Sequence, residues 1–125
     1  MPVAYWCVLV AALLPLLFTG IAKALERRRF DNRSPRDFQA GLAGVALRAH
    51  WAHLNSFEAF APFAAGVLIA QQLGVAQGRI DLLAISFVIL RVLYGACYLA
   101  NLATLRSIVW GAAMACTITL FVIGA

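Results

Sequence analysis

The stretch Arg48-Ala-His-Trp-Ala-His-Leu-Asn-Ser-Phe-Glu58, continuing to Pro62, packs an arginine, two histidines, an asparagine and a glutamate immediately before the apolar segment 59–70. In a helix, at about 100° per residue, Arg48, Trp51, Asn55 and Glu58 fall in one stripe, with His50 and His53 on the other side. If 52–70 spans a bilayer, its length is roughly 27 Å at about 1.5 Å per residue, which places Asn55 and Glu58 just below the headgroups. A carboxylate there costs roughly 2.5–3.5 kcal/mol unless it faces protein and finds a partner. Pro62 has no N–H to give the carbonyl of Glu58, so a free backbone acceptor lies beside the acid.

Composition agrees with a membrane setting. The 125 residues are 64% hydrophobic and 12% charged, and the mean hydropathy is +0.89. Soluble domains carry about 25% charged residues, twice this share. The chain is expected to be one all-α domain over residues 1–125, a four-helix transmembrane bundle running up-down-up-down. The expected helices are about 3–25, 44–75, 80–101 and 107–125.

The first span, 3–22, is uncharged and contains Pro15. It reads as a retained helix rather than a cleaved leader, because positive charge follows the apolar run instead of preceding it. Six of the ten basic residues lie in the next connection: Lys23, Arg27, Arg28, Arg29, Arg33 and Arg36. A juxtamembrane mark meeting anionic lipid explains them better than nucleic-acid binding, and no nucleic-acid partner is expected. The link at 71–78 holds only Arg79 at its edge, and the last turn holds Arg106. The asymmetry places loop 23–47 in the cytoplasm and both termini outside.

Helix three carries a second stripe, Arg91, Tyr94, Tyr98 and Asn101, at spacings of three, four and three. Arg91 lies deep in an apolar run and requires an acid, a carbonyl or water. Asp81 only opens the third helix, which leaves Glu58 as the intramembrane acid available, so a direct Glu58–Arg91 pair tying two helices together is the purely structural reading. Convergence of both stripes on one half of the membrane argues instead for a site. Cys7, Cys97 and Cys116 occupy three separate apolar segments and are expected to pack. His50 and His53 lack a third ligand, which favours interfacial hydrogen bonding, and no metal is expected.

The pattern Arg48-Ala49-x-x-Ala52-His53-x-Asn55-x-x-Glu58-x-x-x-Pro62-Phe63 resembles the membrane-associated proteins in eicosanoid and glutathione metabolism, the MAPEG family. Arg91-x-x-Tyr94-x-x-x-Tyr98 and Leu105-Arg106-Ser107 are similar to that family's second signature, and the resemblance covers nearly the whole chain. It implies a homotrimer, in a membrane of the bacterial inner-membrane type, with glutathione as co-substrate bound between subunits near the cytoplasmic side. The implied chemistry is conjugation of glutathione to lipophilic small molecules or reduction of lipid hydroperoxides. Arg48, Asn55, Glu58, Arg91, Tyr94 and Tyr98 would bind the tripeptide, and Arg106 would be the catalytic residue that stabilises its thiolate.

The charges suit this chemistry. Arginines pair with carboxylates, Glu58 with an ammonium, and a nearby guanidinium raises the thiolate fraction. The sequence departs from the pattern at Trp51, where catalytic members usually carry an arginine. An interfacial anchor is the alternative role for that indole. A non-catalytic lipid-binding or scaffolding relative is therefore the competing reading. A small drug/proton antiporter fits less well, because its essential glutamate belongs in helix one and the first apolar run here, 3–22, is uncharged.

Overall fold

A computed structural model describes all 125 residues. The chain is entirely helical: α1 (Val3–Leu25), α2 (Pro35–Ala40), α3 (Gly44–Gln72), α4 (Gln77–Leu99) and α5 (Ala103–Val122). Three of these, α1, α4 and α5, are long and apolar enough to cross a membrane. The fourth expected span, α3, is the longest helix at 29 residues, but its polar stripe and terminal glutamines dilute its hydropathy. Its lower half nevertheless lies in the apolar core, with Phe63, Val67 and Ala70 fully buried.

α3 and α4 form the centre. α3 packs against α1, α4 and α5, while α4 packs against α1, α3 and α5. α1 and α5 thus occupy opposite corners. The Phe63 and Phe87 rings stack across the α3–α4 contact, 3.9 Å between centroids and 5° from parallel. Small residues bring the other helices close. Gly95 lies against the ring of Phe18, leaving no room for a methyl group. Near the chain start, α1 has no capping side chain of its own. Asp81 of α4 serves instead, accepting a hydrogen bond from the Ala4 amide at 2.9 Å and one from Gln77 at 2.8 Å. An acceptor there satisfies an otherwise orphaned helix-start amide and meets the positive end of the helix dipole.

The helix boundaries correct the sequence expectation at five places, the simplest being the end of α5 at Val122 rather than 125. α3 stops at Gln72, not about 75, because Gly74 turns left-handed (φ 70°). The amides of Val75 and Gly74 bond back to the carbonyls of Ala70 and Gln71, the closure that Schellman turns use. Only two residues then separate Gly74 from α4, which starts at Gln77 rather than about 80. At its other end α4 stops at Leu99, not 101. Asn101 takes the left-handed conformation (φ 59°), and the amides of Leu102 and Asn101 bond to the carbonyls of Cys97 and Tyr98. Asn tolerates this position through its short polar side chain. Asn101 therefore leaves the stripe of Arg91, Tyr94 and Tyr98. Because that turn is so tight, α5 begins at Ala103 rather than 107 and contains Arg106 within its first turns.

The connection 26–43 was expected to be a plain loop but includes α2. Pro35 starts it, where its fixed φ suits a first helical turn. Phe38 anchors it in a small apolar cluster with Ala22, Leu42, Ala46 and Ala49. Phe30 packs edge-on to Phe38, with the Lys23 ammonium 4.7 Å from the Phe30 ring centre.

Candidate functional site

The two stripes meet where the start of α3, the end of α4 and the start of α5 come together. Arg91 is the centre of this meeting and is only 2% exposed. Its guanidinium donates to the side-chain oxygen of Asn55 at 2.7 Å and lies over the Tyr94 ring, 4.2 Å from its centre. Asn55 in turn points its NH2 toward a Glu58 carboxylate oxygen at 3.5 Å. The direct Glu58–Arg91 pair expected on structural grounds does not form. The shorter amide, one helical turn nearer the start of α3, reaches Arg91 first and relays its charge to the acid. Of the partners open to Arg91, it takes a carbonyl.

Tyr98 joins the three helices. Tyr94 meets it edge-on at 5.4 Å, Trp51 of α3 lies tilted against it at 6.2 Å, and the Arg106 guanidinium sits 4.3 Å over its ring. Cation–π contacts of this kind hold a flexible arginine in one orientation. Arg106 also lies close to the start of α5, which carries no capping side chain. The helix dipole and the guanidinium therefore place positive potential at the same spot.

Trp51, Leu54, Asn55, Glu58, Tyr98 and Arg106 line an open groove of about 400 Å³, a size within the range of small-molecule sites. On the far side of Asn55 and Glu58, a smaller hollow of about 110 Å³ is bounded by Ala59, Trp110 and Met114. Of the residues expected to form the site, Asn55, Glu58, Tyr98 and Arg106 line the groove itself. Arg91 and Tyr94 stand behind it as support. Arg48 turns away: its guanidinium donates to the carbonyl of Leu99 at 3.4 Å, satisfying the exposed carboxyl end of α4.

Leu54, Ala59, Trp110 and Met114 were not anticipated. Trp110 and Met114 follow Arg106 at intervals of four, so one helix face carries all three. That spacing was visible in the sequence. The histidines lie on the opposite side of α3 from the groove. His53 donates from Nδ1 to the carbonyl of Pro15 in α1 at 2.9 Å, and the His50 ring stacks on it at 5.8 Å.

The groove thus offers one guanidinium, one carboxylate, one amide and an aromatic wall. A family model described as MAPEG family matches residues 3–125 of the chain. No curated protein and no solved structure matches it.

Proposed function

The chain belongs to the MAPEG family, and from that premise we propose that it is a glutathione-dependent transferase or peroxidase, acting on lipophilic electrophiles or lipid hydroperoxides. Three helices suited to crossing a bilayer make it an integral membrane protein; in this reading α3 is the fourth crossing and three copies assemble into a homotrimer. The observation that carries the proposal is the pairing of Arg106 and Glu58 on one groove, backed by Arg91 through Asn55.

Glu58 accepts the ammonium of glutathione, and Arg106 faces its sulfur. The thiol proton leaves to water, and the guanidinium favours the thiolate that remains. In conjugation the sulfur bonds to an electrophilic carbon while the leaving group departs with its electron pair. In peroxide reduction the sulfur attacks the terminal oxygen and an alcohol leaves. A second glutathione then converts the sulfenic acid to disulfide and water. The apolar partner enters from the lipid, past Leu54 or across the hollow at Trp110 and Met114.

Glutathione added to the purified protein should give thiolate absorbance near neutral pH, and Arg106→Ala should abolish it. A charge-assisted contact of about 1.5–3 kcal/mol shifts a thiol by roughly one to two pKa units. Absence of glutathione binding to the wild-type protein would reject the reading. A second reading then takes its place: a non-catalytic lipid-binding relative, favoured by the exposed Trp51 indole on the groove wall.

A further inference from the structure

We infer that the end of the bundle carrying α2 is a docking surface for anionic phospholipid headgroups, in which Arg33 and Arg36 beside α2 act together with Arg27 and Arg28 at the end of α1. The groove and its ligand play no part in it.

A mark of membrane sidedness requires only the basic residues that directly follow α1. Arg33 and Arg36 come later in the connection. In an extended loop they would stand in water, where the attraction of a charged surface fades within about 8–10 Å. The fold prevents this. Phe38 anchors α2 among Ala22 of α1, Leu42, and Ala46 and Ala49 of α3. Arg36 is two residues from that anchor, and Arg33 precedes it by about one turn. Both are therefore held at the level where α1 ends and α3 begins. Leu25, 52% exposed, lies at the same level, and an apolar side chain among cations suits the boundary between headgroups and acyl chains. Arg29 closes the connection on itself, donating to the Gly41 carbonyl at 3.2 Å with Glu26 at 3.9 Å. The hollow of about 330 Å³ beside α2 also holds Asp31 and Asp37, so its interior repels a phosphate. Arg27, Arg28, Arg33 and Arg36 are exposed around it, and guanidinium groups match phosphate oxygens in pairs. Assembly leaves the excess of charge in place. Residues 23–47 carry six basic side chains against three acidic ones, and every further copy of the chain adds them in the same proportion. The compensating anions must therefore come from outside the protein, and at this height the phosphates of the headgroup layer supply them.

The test reconstitutes the full-length protein in phosphatidylcholine vesicles and measures how spin-labelled phosphatidylglycerol and phosphatidylcholine associate with it. The two labelled lipids carry the same acyl chains, so any difference between them reports the headgroup. A basic residue near an anionic surface contributes about fivefold in binding. The wild type should prefer phosphatidylglycerol by roughly tenfold or more at low salt, and the preference should shrink as salt is added. Arg33→Gln combined with Arg36→Gln should lower it by about fivefold or more. Both side chains are exposed, so the double variant loses no buried packing. Phe38→Ala keeps every charge but frees α2 from its anchor, and should lower the preference as well. Equal association of both lipids with the wild type would overturn the inference, and a short oligonucleotide binding instead would assign the surface to nucleic acid. A preference left unchanged by the double arginine variant would also overturn it, by assigning the effect to the residues that directly follow α1.

Discussion

Asn55 stands between the two charges that the sequence pairs directly. Arg91 is desolvated, and its strongest contact is the amide oxygen of Asn55 at 2.7 Å rather than the carboxylate of Glu58. The stability of the α3–α4 contact therefore depends more on the neutral residue than on the acid. Asn55→Ala should cost about 1.5–3 kcal/mol, because it leaves a buried guanidinium without its acceptor. Glu58→Gln should cost less than about 1 kcal/mol, since Glu58 is exposed on the groove and an amide can still face Asn55. Unfolding both variants in mixed micelles would compare them. A larger loss for Glu58→Gln would restore the direct ion pair. Arg48 shows the same dependence on reach: the free carbonyl at the end of α4 takes the guanidinium that its position on the stripe assigns to the ligand.

Helix ends and helix contacts here depend on single small or flexible residues. Gly95 is one such residue. It sits in α4 where the ring of Phe18 from α1 presses on the backbone. Gly95→Ala improves intrinsic helix propensity by about 1 kcal/mol, yet overpacking typically costs about 1–3 kcal/mol. The expected net result is destabilisation, and adding Phe18→Leu should recover most of it. Thermal melts of the single and double variants check this coupling; strictly additive effects would mean that the two residues do not press on each other. The left-handed turns at Gly74 and Asn101 have a different effect. By stopping α3 and α4 early, they set the register of the following helices. The second of them also brings Arg106 onto α5 and over Tyr98.

At the scale of the molecule, its surface is rich in exposed Leu, Ile, Val, Phe and Trp side chains along the long helices. Lipid or further copies of the chain cover such surfaces in a membrane. Glu58 is exposed in the single chain; if α3 is the fourth crossing, the carboxylate lies at a depth where exposure is costly, and assembly is expected to cover it. Native mass spectrometry in mild detergent should show a homotrimer, and a stable monomer would oppose that assembly. The basic residues cluster at the end of the bundle that carries α2, and the expected orientation puts this end in the cytoplasm. A cysteine placed at Ser34 should then react only from the cytoplasmic side and one at Gly78 only from the outside. Labelling in the reverse sense would invert the topology.

The sequence by itself determined the helical, membrane-embedded class, the long helices and the faces that carry polar residues. Each of these depends on composition or on the 3.6-residue period, which are local properties. The convergence of Asn55 and Glu58 with Arg91, Tyr94 and Tyr98 was legible for the same reason, since each stripe points one way along its own helix, whereas Arg106 was pointed to only by the family resemblance. Only the tertiary structure decided the partners. Whether Arg91 meets Glu58 or Asn55, and whether Arg48 faces the groove or the end of α4, depends on differences of a few ångströms between helices. The sequence also left open that Asn101, a residue other than glycine, would adopt a left-handed turn. Hydrogen bonds from Leu102 and Asn101 back into α4 close that turn, and the closed turn in turn brings α5 against α4. Periodicity assigns a residue to a face, but the length of its side chain and the spacing of the packed helices determine what it touches.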